Sequence, residues 1–360
     1  MSMALRIGAR PSALALAQAA TIAQALRARL GKVAVEIVPI RTSGDKIASA
    51  SLVRLGGKGL FVRELEEALS EGRIDVAVHS MKDLPATLPP QYRLVAVPRR
   101  ESPCDVLLAH GDGGWQALPR GARLGTSSLR RRLQALRIRH DLEVLALRGN
   151  VDTRLRRLRN RDFDAIILAA AGLRRLGLWS TTDAGLLCTE LVLAAPGAGE
   201  LRQTLARAGR EEGSEVAGSE PIHLTELQPP DFVPPGGQGA LAVEALCESY
   251  VGGSMEIEAA VRDLTHVPSL AEITAERSFL ATIGASCASP VGVNCKVVSQ
   301  SLTLRAQLFS PDGSRSLEAE LTDEGPSRNG EPLERAAVHL GERLGHLMLE
   351  RDAGELLGGQ

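Results

Sequence analysis

Short runs of β-branched and apolar residues alternate with stretches of helical character along the first half of this chain, and that alternation leaves few folds open. Residues 5–8 read as a strand, Ser12 as an N-cap, and 13–30 as a helix. Strands are expected over 33–40, 74–78 and 94–97, with a helix over 59–70. A second unit of the same kind runs from about 100 to 190. Strands alternating with helices predict mostly parallel sheets covered by helices, hence an α/β fold. At 360 residues the chain exceeds one ordinary core and calls for two or three domains.

Composition removes several functions. The formal net charge is −1, so no global field draws polyanions, and basic surface has to be local. Aromatic residues are 2% of the chain, too few to stack a single-stranded nucleic acid. The five cysteines (Cys104, Cys188, Cys247, Cys287, Cys295) are odd in number and lack paired CxxC spacing. That argues against a disulfide framework and a zinc site, and for free thiols in a reducing cytoplasm. No apolar run is long enough to span a bilayer. Arg6 and Arg10 before an Ala/Leu-rich run resemble a secretion signal, but the strand, cap and helix reading is preferred.

The stretch from Ile74 to Val78 is apolar and suits a strand buried on both faces; it ends abruptly in Ser80, Lys82 and Asp83, and Pro85 blocks further pairing. In open α/β sheets ligands collect beyond the carboxyl ends of the strands, which sets Lys82 and Asp83 at the lip of a cleft. Asp83-Leu84-Pro85 also reads as a plain turn. Further on, Gly125-Thr126-Ser127-Ser128-Leu129-Arg130-Arg131 combines a strand end, hydroxyls and a helix start, as an anion site does. Arg148-Gly149-Asn150, with Arg154 one turn later, repeats the pattern, and Ala170 to Arg175 repeats it more loosely. Positive charge at a helix start opposes the helix dipole, and an anionic ligand would relieve that cost. Most of Arg154 to Arg161 also fits a solvated helix face. The glycine cluster before Phe61 lacks the Ser or Thr that a phosphate loop needs after Lys58, and reads as a loop over a cleft.

From about 190 to 225 the composition turns to loop, and Thr189-Glu190-Leu191 recurs as Thr225-Glu226-Leu227, which suggests a surface insertion without a catalytic role. Pro234 to Ala240 leads into a strand over 241–245. The last part holds a helix over 269–283, a loop carrying Cys287, strands near 293–298 and 302–309, and a closing helix over 333–349. On residue type alone, Cys287 reads as readily as a buried small hydrophobe as a nucleophile.

Taken in order, Arg10-Pro11-Ser12, Gly56-Gly57-Lys58-Gly59-Leu60-Phe61, His79-Ser80-Met81-Lys82-Asp83, Gly125 to Arg131, Leu147-Arg148-Gly149-Asn150, Gly237-Gln238-Gly239, Thr274-Ala275-Glu276-Arg277 and Cys287 with Pro290 and Gly292 resemble the porphobilinogen deaminase (hydroxymethylbilane synthase) family. The resemblance implies two doubly wound domains like those of solute-binding proteins and a small α+β C-terminal domain. Their expected extents are 1–99 with 228–244, 100–227, and 245–360. It implies a transferase of haem biosynthesis that condenses four porphobilinogens into hydroxymethylbilane with release of ammonia. Its primer would be a dipyrromethane cofactor bound covalently through Cys287. Asp83 matches the family's catalytic acid. Lys82, Asp83, Thr126, Ser128, Arg130, Arg131 and Arg148 would hold the cofactor. Arg10, Ser12, Arg148, Arg154 and Arg175 would bind substrate, and Lys58 and Phe61 would belong to a loop over the site. No metal, nucleic acid or membrane is implied, and a cytoplasmic monomer is. Two rival readings are a non-catalytic two-lobed solute-binding or effector domain and, through the arginines, a nucleic-acid surface.

Overall fold

The computed structural model describes residues 4–42, 62–179, 222–285, 289–324 and 332–358. The first sheet contains β1 (Ala4–Ala9), β2 (Ala34–Pro39), β3 (Val76–Ser80), β4 (Tyr92–Ala96) and, from far along the chain, β10 (Leu241–Leu246), in the order β2-β1-β3-β10-β4. The second contains β5 (Asp105–His110), β6 (Arg123–Gly125), β7 (Glu143–Leu145), β8 (Ala165–Ala169) and β9 (Ile222–Leu227), in the order β7-β6-β8-β5-β9. The two sheets share one plan. Three parallel strands are followed by an antiparallel one that arrives along a crossing segment, β10 in the first sheet and β5 in the second.

Alternation within each strand explains the covering helices, because successive side chains point to opposite faces. In β3, Val76 and Val78 pack with Ile22 and Leu26 of α1 (Ala13–Leu30), while Ala77 packs with Leu65 and Leu69 of α2 (Arg63–Ser70) on the other face. The second sheet is covered likewise. Leu133 and its neighbours lie on α3 (Leu129–Ile138), whose Ala135 packs under Leu107 and Ile167, while α4 (Val151–Arg159) and α5 (Ala170–Arg175) cover Val106 and Ile166. Both units are therefore doubly wound, as expected.

The helix α6 (Met255–Arg262) departs from expectation. Its Ile257 and Val261 join Leu5 and Ile7 in the first core, so this stretch packs on the first sheet and not with the C-terminal unit. That unit is a small α+β layer pair. An antiparallel sheet of β11 (Val291–Val298), β12 (Ser301–Phe309) and β13 (Ser316–Asp323) lies against α7 (Val267–Thr282) and α8 (Leu333–Leu349). A second departure is β9. Ile222 to Thr225, read from sequence as the tail of an insertion, are strand residues paired with β5. The rest of that stretch, from 190 to 221, lies outside the described residues.

Candidate active site

β3 runs into a single 3-10 turn, Met81–Asp83. Met81 is buried and anchors the turn, its N–H donating to the Ala240 carbonyl at 3.0 Å, whereas Asp83 is exposed. The second crossing segment presses directly on this turn. At Gly237 the backbone has φ +77°, and a Cβ there would lie 2.9 Å from the Lys82 nitrogen, so only glycine fits. From the other side, Gln18 of α1 donates to the Ser80 hydroxyl at 2.9 Å.

Next to the turn lies a polar centre built on Asp105, the first residue of β5 and fully buried. Its carboxylate accepts from Arg130 and Arg131, each at 2.7 Å, and from the Gln238 amide at 2.9 Å. The Gln238 carbonyl in turn accepts from Lys82 Nζ at 3.1 Å. Burial pushes the Asp105 carboxyl upward, but the two guanidinium groups more than reverse it and hold it far below the usual range. Lys82 is lowered to about 8, chiefly by burial, with Asp83 and Asp105 opposing and Arg131 and Arg130 adding repulsion.

The remaining arginines gather at the carboxyl edge of the second sheet. Thr126 is buried just after β6, and its hydroxyl accepts from the Ser128 N–H at 3.2 Å. Ser128 caps α3, accepting from the Arg131 N–H at 3.4 Å. Arg154 donates to the Gly149 carbonyl at 2.7 Å; burial and the nearby Arg131 lower it to about 10. Arg175 donates to the Gly239 carbonyl at 2.6 Å and is lowered to about 10 by burial, against Glu101. Arg148 is exposed at the end of β7. Asn150 occupies the N-cap position of α4, though its side chain makes no capping bond.

On the first sheet's side, Arg10 follows β1, whose parallel register with β3 brings both carboxyl ends to one edge. Ser12 caps α1, accepting from the Ala15 N–H at 3.3 Å. Leu14 beside it packs into the core of the second unit, so the start of α1 touches both. Lys58, Phe61 and Cys287 lie outside the described residues.

One expectation needs correction. The charges of Arg130 and Arg131 at a helix start do not wait for a ligand, because Asp105 already answers both. Arg130 is further committed to the Gln134 side chain and the Val233 carbonyl. Arg131 also donates to the Ile167 carbonyl at 2.9 Å, yet its Nε is buried without a hydrogen-bond partner. Sequence reasoning also passed over Asp105, although an acid beginning the apolar run from Val106 to Ala109 was a visible signal. Arg277 was quoted in a motif but given no role; it lies on α7 with Nη1 3.7 Å from the Met81 sulfur.

Comparisons with known proteins bear on this geometry. Residues 5–215 match the family model for porphobilinogen deaminase, dipyromethane cofactor binding domain, and residues 270–350 match that for porphobilinogen deaminase, C-terminal domain. The chain belongs to the porphobilinogen deaminase family. Among curated relatives, the porphobilinogen deaminase of Syntrophobacter fumaroxidans is 38% identical over 98% of this chain and 96% of its own. That of Roseiflexus castenholzii is 42% identical over 87% of this chain and 88% of its own. A solved structure of the Bordetella pertussis BvgS periplasmic VFT2 domain covers 73% of this chain and 87% of its own at 13% identity, with a TM-score of 0.34, too slight a likeness to carry weight.

The family's reaction is the head-to-tail condensation of four porphobilinogens into hydroxymethylbilane with release of ammonia, and its cofactor is dipyrromethane. Among the described residues no helix is long and apolar enough to cross a membrane, and no cluster of metal-ligating side chains occurs.

Proposed function

We propose that the condensation takes place where the Met81–Asp83 turn faces the arginines of the second sheet, with Asp83 as the catalytic group. The observation that carries this is a charge imbalance. Among the described residues, four cations (Lys82, Arg130, Arg131, Arg154) are linked by repulsion through Arg131, and the carboxylates acting on them are Asp83 and Asp105. Three of the four cations are pushed toward their neutral forms, and Arg131 keeps a buried donor unused. A ligand rich in carboxylates supplies what is missing. Porphobilinogen carries an acetate and a propionate, so each added unit brings two negative charges.

Dipyrromethane fits the same donor set, and when bound it supplies the primer to which the first incoming unit is joined. Arg131, with its free Nε, would pair with a cofactor carboxylate, and Lys82, Thr126, Ser128 and Arg148 would add donors, with Arg130 behind them. Cys287 would be the covalent anchor. Arg10, Ser12, Arg154 and Arg175, together with Arg148, would hold the incoming porphobilinogen.

Loss of ammonia from porphobilinogen leaves a positively charged methylene pyrrole. Ionised Asp83, held on a short turn whose backbone is clamped by Ala240 and Gly237, faces that charge with little reorganisation. The same carboxylate accepts a pyrrole N–H and so orients the reacting ring. The enzyme is read as a cytoplasmic monomer.

Intact-protein mass spectrometry tests the assignment. The purified chain should carry the added mass of two linked pyrroles, and Cys287→Ser should lack it. An unmodified wild-type mass, in protein that turns over porphobilinogen, would overturn the anchor. The rival solute-binding reading predicts no adduct in either protein.

A further inference from the structure

Asp105 ends one hydrogen-bonded path that starts in the C-terminal unit. Glu318 on β13 accepts from the Gln307 amide at 2.9 Å; the Gln307 carbonyl accepts from the Gln134 amide at 2.6 Å; the Gln134 carbonyl accepts from Arg130 at 2.9 Å. Arg130 then donates to Asp105, whose other oxygen holds Arg131 and, through Gln238, Lys82. Gln134 and Gln307 are both completely buried. Every polar atom of the Gln134 amide is used, because its nitrogen also donates to the Val233 carbonyl at 2.9 Å. That leaves the amide one orientation, since a flip would face its nitrogen with Arg130 and its oxygen with two acceptors. Gln134 lies one turn after Arg130 on α3, so the two side chains share a helix face.

A hydrophobic contact would have held β12 against α3 equally well. Burying two amides instead is costly unless every bond is made, and what it provides is direction. We propose that Gln134 and Gln307 are positioning residues through which the C-terminal unit fixes Arg130 and Asp105 and thereby aims the free Nε of Arg131 at the bound anion. This rests on the reading that Arg131 holds a carboxylate of the cofactor or the growing chain. It gives the unit that carries Cys287 a second hold on the site, made through the arginines and not through the thiol.

The test uses loaded holoenzyme, with adduct verified by mass. Gln134→Met and, from the other side of the contact, Gln307→Met each remove the path while keeping side-chain volume. Each should lower kcat/KM on the order of tenfold, the scale of a misaligned charged hydrogen bond. In an Asp105→Asn background, where the charge that links Arg130 to Arg131 is gone and Arg131 keeps only its Ile167 carbonyl as a charge-independent hold, Gln134→Met should cost nothing more. A purely structural role predicts lowered thermal midpoints with kcat/KM unchanged, or the same loss in both backgrounds; either result overturns the proposal. Arg131→Lys separates the two levels. If it leaves both cofactor loading and kcat/KM intact, the reading of Arg131 fails. If it impairs them while Gln134→Met still multiplies with Asp105→Asn, only the positioning role fails.

Discussion

Arg100 and Glu276 form a buried pair, with nitrogen and oxygen 2.8 Å apart, that fastens the first crossing segment to α7 of the C-terminal unit. The Glu276 carboxylate also accepts from the backbone N–H groups of Gly237 at 2.7 Å and Cys295 at 2.8 Å, so one acid joins both crossings to β11. Removing one partner strands the other as a buried, unanswered charge. Arg100→Ala and Glu276→Ala should each destabilise the protein by about 3–5 kcal/mol. Urea denaturation measures this, and a loss below about 1 kcal/mol would show that the junction relaxes without the pair.

Asp83 contrasts with that acid because it is exposed and supports no described core. Asp83→Asn should leave stability within about 0.5 kcal/mol, as surface changes do. Turnover should nevertheless fall on the order of a hundredfold or more, through loss of the negative charge opposite the developing cation. Steady-state assay beside thermal unfolding separates the two, and near-normal turnover would remove Asp83 from the chemistry.

Lys82, lowered to about 8 mainly by burial, makes stability depend on pH. Between that value and about 10.4, where an unfolded lysine titrates, the unfolded chain binds the extra proton. Stability of cofactor-free protein should therefore rise through this window, and below about 8 the cost of the buried charge is fully present. Lys82→Met should flatten the rise. Bound carboxylates favour the ammonium, so loaded protein should show a smaller slope when unfolding is followed from pH 7 to 10.

Gly239 has φ +86°, and a Cβ there would meet the Glu101 carbonyl at 2.2 Å. Both crossings touch at this point. Gly239→Ala should lower stability by at least about 1–3 kcal/mol, combining backbone strain with displacement of the first crossing. It should also weaken substrate binding, because the Gly239 carbonyl receives Arg175. A raised KM with stability unaltered would show that the clash is absorbed locally.

Where local chemistry decides structure, the sequence was legible. Ser12 caps α1 over the expected residues, and the closing helix runs from Leu333 to Leu349 as read. The strand before Lys82 and Asp83 was visible because it is buried on both faces. β13 was not read, since an edge strand with alternate residues exposed and many charges lacks an apolar run. α6 was missed for a similar reason: its buried Ile257 and Val261 sit among glutamates. Within the site, strand ends and helix starts announce Thr126, Ser128 and Arg131. Asp105 gains its meaning from Arg130 and Arg131, about 25 residues on, and Gln238 from Asp105 and Lys82, more than a hundred residues away, which no local pattern encodes.

β10 fills the gap between β3 and β4, yet the chain reaches it only after both the first sheet's other strands and the whole second sheet have been made. An emerging polypeptide thus holds two of its strands with exposed, unpaired flanks until the ribosome has delivered the neighbouring lobe. Maturation of the first lobe is in this sense obligately interleaved: a severed N-terminal fragment would lack the central plank of its own sheet, whereas the strands of the second sheet follow one another along the chain.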